Sequence, residues 1–164
     1  MDLHTEQRYD ADPAAVFAML VDETFIARKT AAAKALRHKA TVTRTDDRAT
    51  IELTRVTPPD VPDYVRRFVG ETIDVKQVDV WGPAAPDGSR QGTIKLDMVG
   101  APVTCSGTMT LATVDGRTVV RIAAAIRASV PLVGRKIESA VHQGLSEAAK
   151  IEEQVGRAWL AGER

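Results

Sequence analysis

Hydrophobic and polar positions along the chain change their period three times, and the order of those changes predicts a fold. Residues 3–9 read as a short strand. Asp12 followed by Pro13 marks a helix start, with an N-cap side chain and a proline at the first helical position. Val16, Phe17 and Leu20 supply that helix with an apolar face, and Asp22 can cap a second short helix carrying Phe25, Ile26 and the alanine run 31–33. From Leu36 to Val130 the pattern is strand-like. After Val130-Pro131 it becomes helical to the end, with Ile137, Val141, Leu145, Ala148, Ile151, Val155 and Trp159 recurring every three or four residues. A helix with so long a stripe must lie on something, and the apolar face of the strands is the only large partner.

Turn chemistry fixes much of the register. Asp115-Gly116 suits a two-residue hairpin, because a type I′ turn needs positive φ at both central residues. Pairing outward sets Leu111 opposite Val120, Met109 opposite Ile122, Gly107 opposite Ala124 and Cys105 opposite Ile126. Thr104, Ser106, Thr108 and Thr110 fall on the other face, so one face is buried and one wet, as in an antiparallel sheet covered on one side. A loop at Val99–Pro102 sets Leu96 opposite Cys105 and Ile94 opposite Gly107. Asp46-Asp47 separates Arg37–Thr45 from Arg48–Val56 and pairs Val42 with Ile51, Ala40 with Leu53 and His38 with Arg55. The strand 73–81 is irregular: Ile73 and Val75 share one phase and Val78 and Val80 the other, which predicts a bulge near Lys76-Gln77. The expected fold is α+β: a curved antiparallel sheet of about seven strands around a long C-terminal helix, with two short helices after the first strand.

Composition narrows the function classes. At 164 residues and 44% hydrophobic content the chain is one ordinary domain, 1–164, with enough apolar mass for a core. Lys plus Arg and Asp plus Glu number 22 each, which argues against bulk attraction to nucleic acid. Cys105 is the sole cysteine, so no internal disulfide forms. The start Met1–Glu6 lacks the basic and apolar regions of a signal peptide, and no apolar run reaches bilayer length, so a cytoplasmic protein without stable membrane insertion is expected. No spacing of histidines and carboxylates suits a metal, and there is no nucleophile elbow, phosphate loop or dinucleotide fingerprint. The residues therefore name no catalytic group, metal or cofactor.

The element order resembles the START-like, or SRPBCC, helix-grip superfamily, which includes lipid-transfer START domains, the birch-pollen allergen family, aromatase/cyclases and plant hormone receptors. Arg66-Arg67-Phe68-Val69-Gly70, Trp81-Gly82-Pro83 with Asp87-Gly88-Ser89-Arg90, and Val130-Pro131-Leu132-Val133-Gly134 look like an actinobacterial family of unknown function within it. The resemblance implies a cavity between sheet and long helix for a hydrophobic small molecule.

Meander parity places 57–72, 99–102 and 129–131 at one end, the mouth of such a cavity. Tyr64 and Phe68 in the long loop either close over a ligand or cover the sheet edge. His38 and Arg55 share the apolar phase at that end; Arg55 either receives a ligand carboxylate or phosphate or snorkels to solvent. Small residues under the helix (Cys105, Gly107 and Ala124 on the sheet, Gly144 and Ala148 on the helix) leave either a void or a close, dry contact. The candidate lining is His38, Arg55, Tyr64, Phe68, Met98, Cys105, Gly107, Met109, Ile122, Ala124, Val141, Gly144 and Leu145. The leading expectation is a non-catalytic binding or carrier protein for a hydrophobic small molecule, an acidic head group being one option. The alternatives are a cyclase- or hydratase-type enzyme using His38, Arg55 or Tyr64, and a protein-interaction module with a filled core.

Overall fold

The computed structural model describes residues 1–163, and the elements follow the order expected from the sequence. Strand β1 (Asp2–Tyr9) leads into helices α1 (Pro13–Leu20) and α2 (Glu23–Ala32). The Asp12 carboxylate accepts from the Ala15 amide at 2.7 Å, and Asp22 accepts from Thr24 and Phe25 at 2.8 and 3.2 Å, so both helices are capped as expected. Strands β2 (Arg37–Thr45) and β3 (Arg48–Thr57) follow, then a short helix α3 (Asp63–Val69), which in the sequence is only an amphipathic stretch. The chain continues through β4 (Ile73–Trp81), β5 (Arg90–Val99), β6 (Val103–Val114) and β7 (Arg117–Ala128) to the long helix α4 (Gly134–Leu160).

The seven strands form one antiparallel sheet in the order β1-β7-β6-β5-β4-β3-β2. Every pairing derived from the turns is present, from Cys105 with Ile126 to His38 with Arg55. Asp115 and Gly116 have φ of 50° and 77°, as the tight turn requires. Gly107 is a point of close approach between strands, since a Cβ there would sit 2.1 Å from the Ala123 carbonyl oxygen on β7.

The bulge expected in β4 does not exist. Pairing with β3 runs unbroken from Ala49–Trp81 to Thr57–Ile73, and pairing with β5 from Trp81–Gly92 to Asp74–Val99. Ile73, Val75, Gln77, Asp79 and Trp81 therefore face inward, while Val78 and Val80 face outward. Trp81 fixes this phase by packing edge-on against Phe17, with centroids 6.4 Å apart. Two polar side chains are thereby carried into the interior, and they persist because they bond to each other and to Arg55.

The core has two parts. One gathers Tyr9, Phe17, Phe25, Ile26, Trp81, Leu111 and Trp159 beneath α1, α2 and the end of α4. The other gathers Val65, Ile73, Val75, Leu96, Val103, Ile126, Ile137 and Val141 between α3 and the start of α4. No helix among the described residues is long and apolar enough to cross a membrane.

Candidate ligand cavity

Between the two core clusters lies a cavity of about 110 Å³, open to solvent on one side. Its apolar walls are Leu3, Leu53, Ile94, Leu96, Cys105, Ile122 and Leu145, with Ala33 on the α2 side and Ala148 and Ala149 on α4. Its polar walls are Thr5 and Gln7 on β1, Lys29 and Thr30 on α2, Arg55 and Gln77 on β3 and β4, and Glu152 on α4. The alternation of β1 places Leu3, Thr5, Gln7 and Tyr9 on the inner face and sends His4, Glu6 and Arg8 outward.

The polar groups form local pairs. Arg55 Nη1 donates to Gln77 Oε1 at 2.9 Å, and Gln77 Nε2 donates to both oxygens of Asp79 at 3.1 and 2.9 Å. Gln77 thus stands between a half-buried guanidinium and a buried carboxylate, linking the two without an ion pair. Burial pushes the Asp79 carboxyl up to about 6, partly offset by the field of Lys29 and the Gln77 bond. Burial lowers the Arg55 guanidinium pKa, against the fields of Asp79 and Glu152. Lys29 pairs with Glu152 at 3.0 Å and spans α2 and α4 beside the cavity. Gln7 Nε2 donates to the Ala149 carbonyl at 2.9 Å, while the buried Thr5 hydroxyl finds no partner among the described residues.

Of the residues singled out from the sequence, Arg55, Cys105, Ile122 and Leu145 come together around the cavity. The others do not line it. His38 is exposed and borders a second groove of about 410 Å³, which Arg55 also lines, together with Arg37, Lys39, Thr54, Val56, Asp74, Val75, Lys76 and Val99. Strand β2 is the sheet edge, and its end lies beyond the grip. Tyr64 and Phe68 are 39% and 42% exposed; α3 turns Val65 and Val69 inward instead, and Lys136 stands over the Tyr64 ring at 5.6 Å. Met98, Ala124 and Val141 belong to the second core cluster, and Met109 is buried in the first. Gly107 lets β7 approach β6 closely, and Gly144 is exposed because the inner face of α4 runs through Leu145, Ala148, Ala149 and Glu152. Cys105 is 2% exposed and burial raises its thiol pKa, which leaves it a packed, unreactive side chain.

Hydrophobic patterning does not single out Thr5, Gln7, Lys29, Thr30, Gln77, Asp79 or Glu152. Two signals point to some of them. The parity of β1 between Leu3 and Tyr9 places Thr5 and Gln7 inside, and the helical period from Leu145 through Ala148 places Glu152 on the buried stripe. Among the described residues no cluster of three or more His, Cys, Asp or Glu could hold a metal ion.

Solved structures share this architecture. TTHA0849 from Thermus thermophilus aligns with a TM-score of 0.62 at 11% identity, covering 99% of each chain. A STAR-related lipid transfer protein from Xanthomonas axonopodis aligns at 0.62 and 16% identity, covering 96% of this chain and 84% of its own. The Zhui aromatase/cyclase from Streptomyces sp. R1128 aligns at 0.54 and 13% identity, covering 99% of this chain and 98% of its own. At these identities the likeness establishes the START-like helix-grip fold. No curated protein matches the chain by sequence. Residues 4–160 match a family described as a protein of unknown function (DUF2505), and the chain belongs to that family.

Proposed function

We propose that this protein binds a hydrophobic or amphipathic small molecule, without chemically changing it, in the cavity between the sheet and α4. The observation that carries the reading is the cavity itself, placed at the seam of two well-packed clusters. An open cavity with apolar walls and a few polar groups converging on it has the anatomy of a ligand site. The fold likeness to a lipid transfer protein and an aromatase/cyclase supports the same reading.

The volume limits the occupant. Drug-sized ligands fill roughly 300–1,000 Å³, so a full-length lipid would need α2 or α4 to move outward. A compact molecule needs far less. Native mass spectrometry of the protein purified from its own cells tests the reading. A co-purified apolar or amphipathic compound is expected, released by denaturation. An empty protein whose melting temperature responds to none of the fatty acids, sterols, isoprenoids, aromatic polyketides and short organic acids would overturn it.

A further inference from the structure

The cavity also specifies the chemistry of its occupant, an inference that rests on the binding reading above. Arg55 carries five N–H donors, and its only protein acceptor among the described residues is the neutral Gln77 amide. No carboxylate lies within ion-pair distance of it among those residues, because Gln77 takes up Asp79 and Lys29 takes up Glu152. Arg55 lines both this cavity and the groove beside His38. A guanidinium with donors to spare and no carboxylate beside it, at the wall of an otherwise largely apolar space, suits a ligand that brings its own acceptors. A planar anion with two oxygens matches the guanidinium fork.

We propose that the cavity receives a compact carboxylic acid, its carboxylate seated on Arg55 and its apolar part against Leu53, Leu96, Cys105 and Leu145. Size sets the second half of the assignment. A dry cavity of about 150 Å³ accommodates benzene, so 110 Å³ open on one side suits a single ring or a short branched chain and not a long acyl tail.

Calorimetric titration of the full chain with benzoate, its neutral isostere benzamide, and palmitate tests both halves. Benzoate is expected to bind about tenfold or more tightly than benzamide, the effect of a charged hydrogen bond, and more tightly than palmitate. Arg55→Met is expected to bring benzoate and benzamide to within about twofold, whereas Arg55→Lys keeps part of the preference, since the charge stays and the fork is lost. Equal binding of benzoate and benzamide, palmitate binding as tightly as benzoate, or a preference that survives in Arg55→Met would each overturn the assignment. Should Arg55→Met fail to fold, the wild-type comparison and Arg55→Lys still decide it. If benzoate and benzamide both fail while a larger apolar compound co-purifies, the carboxylic-acid assignment falls and the binding reading stands. If nothing binds and nothing co-purifies, both fall.

Discussion

The two halves of the grip use the same sheet and the same helix to opposite ends. At the aromatic end, Tyr9, Phe17, Phe25, Trp81 and Trp159 fill the space under α1 and α2. Phe25 and Trp159 meet edge-on at 5.7 Å, and Gly156 lets α4 approach so closely that a Cβ there would sit 2.6 Å from the Tyr9 ring. Earlier on the same helix, Leu145, Ala148, Ala149 and Glu152 line a cavity whose sheet side carries Arg55 and Gln77. The aromatic end is packed for stability, while the middle of the grip leaves room beside a charged side chain.

Substitutions on α4 break that comparison most sharply. Trp159→Ala removes a buried ring from the dense end and is expected to cost about 3–5 kcal/mol in urea unfolding, with ligand affinity in the cavity unchanged once the protein is folded. Gly156→Val is expected to destabilise strongly as well, because its side chain would meet Tyr9 and Met19.

Asp79 gives the next largest effect. Raising a buried carboxyl from its ordinary 3.8 to about 6 costs on the order of 3 kcal/mol at neutral pH. The folded protein holds this proton more tightly than the unfolded chain does. Its contribution is therefore most favourable below the unfolded value, falls as pH rises from about 4 to 6, and stays unfavourable above that. Asp79→Asn is expected to be more stable than wild type near pH 8 and about equal near pH 4. Chemical denaturation at both pH values checks it, and a constant difference between them would contradict the assignment.

Filling the void gives a smaller effect of opposite sign to Gly156→Val. Ala148 lines the cavity and is half-buried, so Ala148→Leu is expected to gain about 1–2 kcal/mol in urea unfolding by occupying part of the 110 Å³. Smallest is Tyr9→Phe. The Tyr9 hydroxyl is fully buried with no partner among the described residues, so the same measurement is expected to show no change or a gain of up to about 1 kcal/mol.

The same contrast explains what the sequence reveals. The aromatic end, the register of β6 and β7 and the α4 stripe follow from alternation and turn chemistry, because apolar residues there obey their period. Asp115-Gly116 alone places Cys105, Met109 and Leu111 inside. The cavity is legible only in part, because its residues break the rule that apolar means inward. In β4 the assumption that Val78 and Val80 must be buried implies a bulge, and it hides Gln77 and Asp79, which the unbroken ladder turns inward. The first hairpin places Arg55 opposite His38, yet the hydrogen bond of Arg55 goes to Gln77 on the strand at its other side. On α3, Tyr64 and Phe68 are the bulkiest side chains, while the smaller Val65 and Val69 share the face that packs. Pairwise tertiary contacts of this kind leave no periodic trace in a single sequence.

The central claim is that the void beside Arg55 is ligand space and not a packing defect. The most direct test measures the melting temperature of wild type and Ala148→Leu with and without saturating benzoate. Wild type is expected to rise by several degrees, as mass action requires of a ligand that binds only the folded state. Ala148→Leu is expected to melt higher than wild type without benzoate and to gain nothing from it. A variant that keeps the full benzoate shift, or a wild type that shows none, would contradict the account.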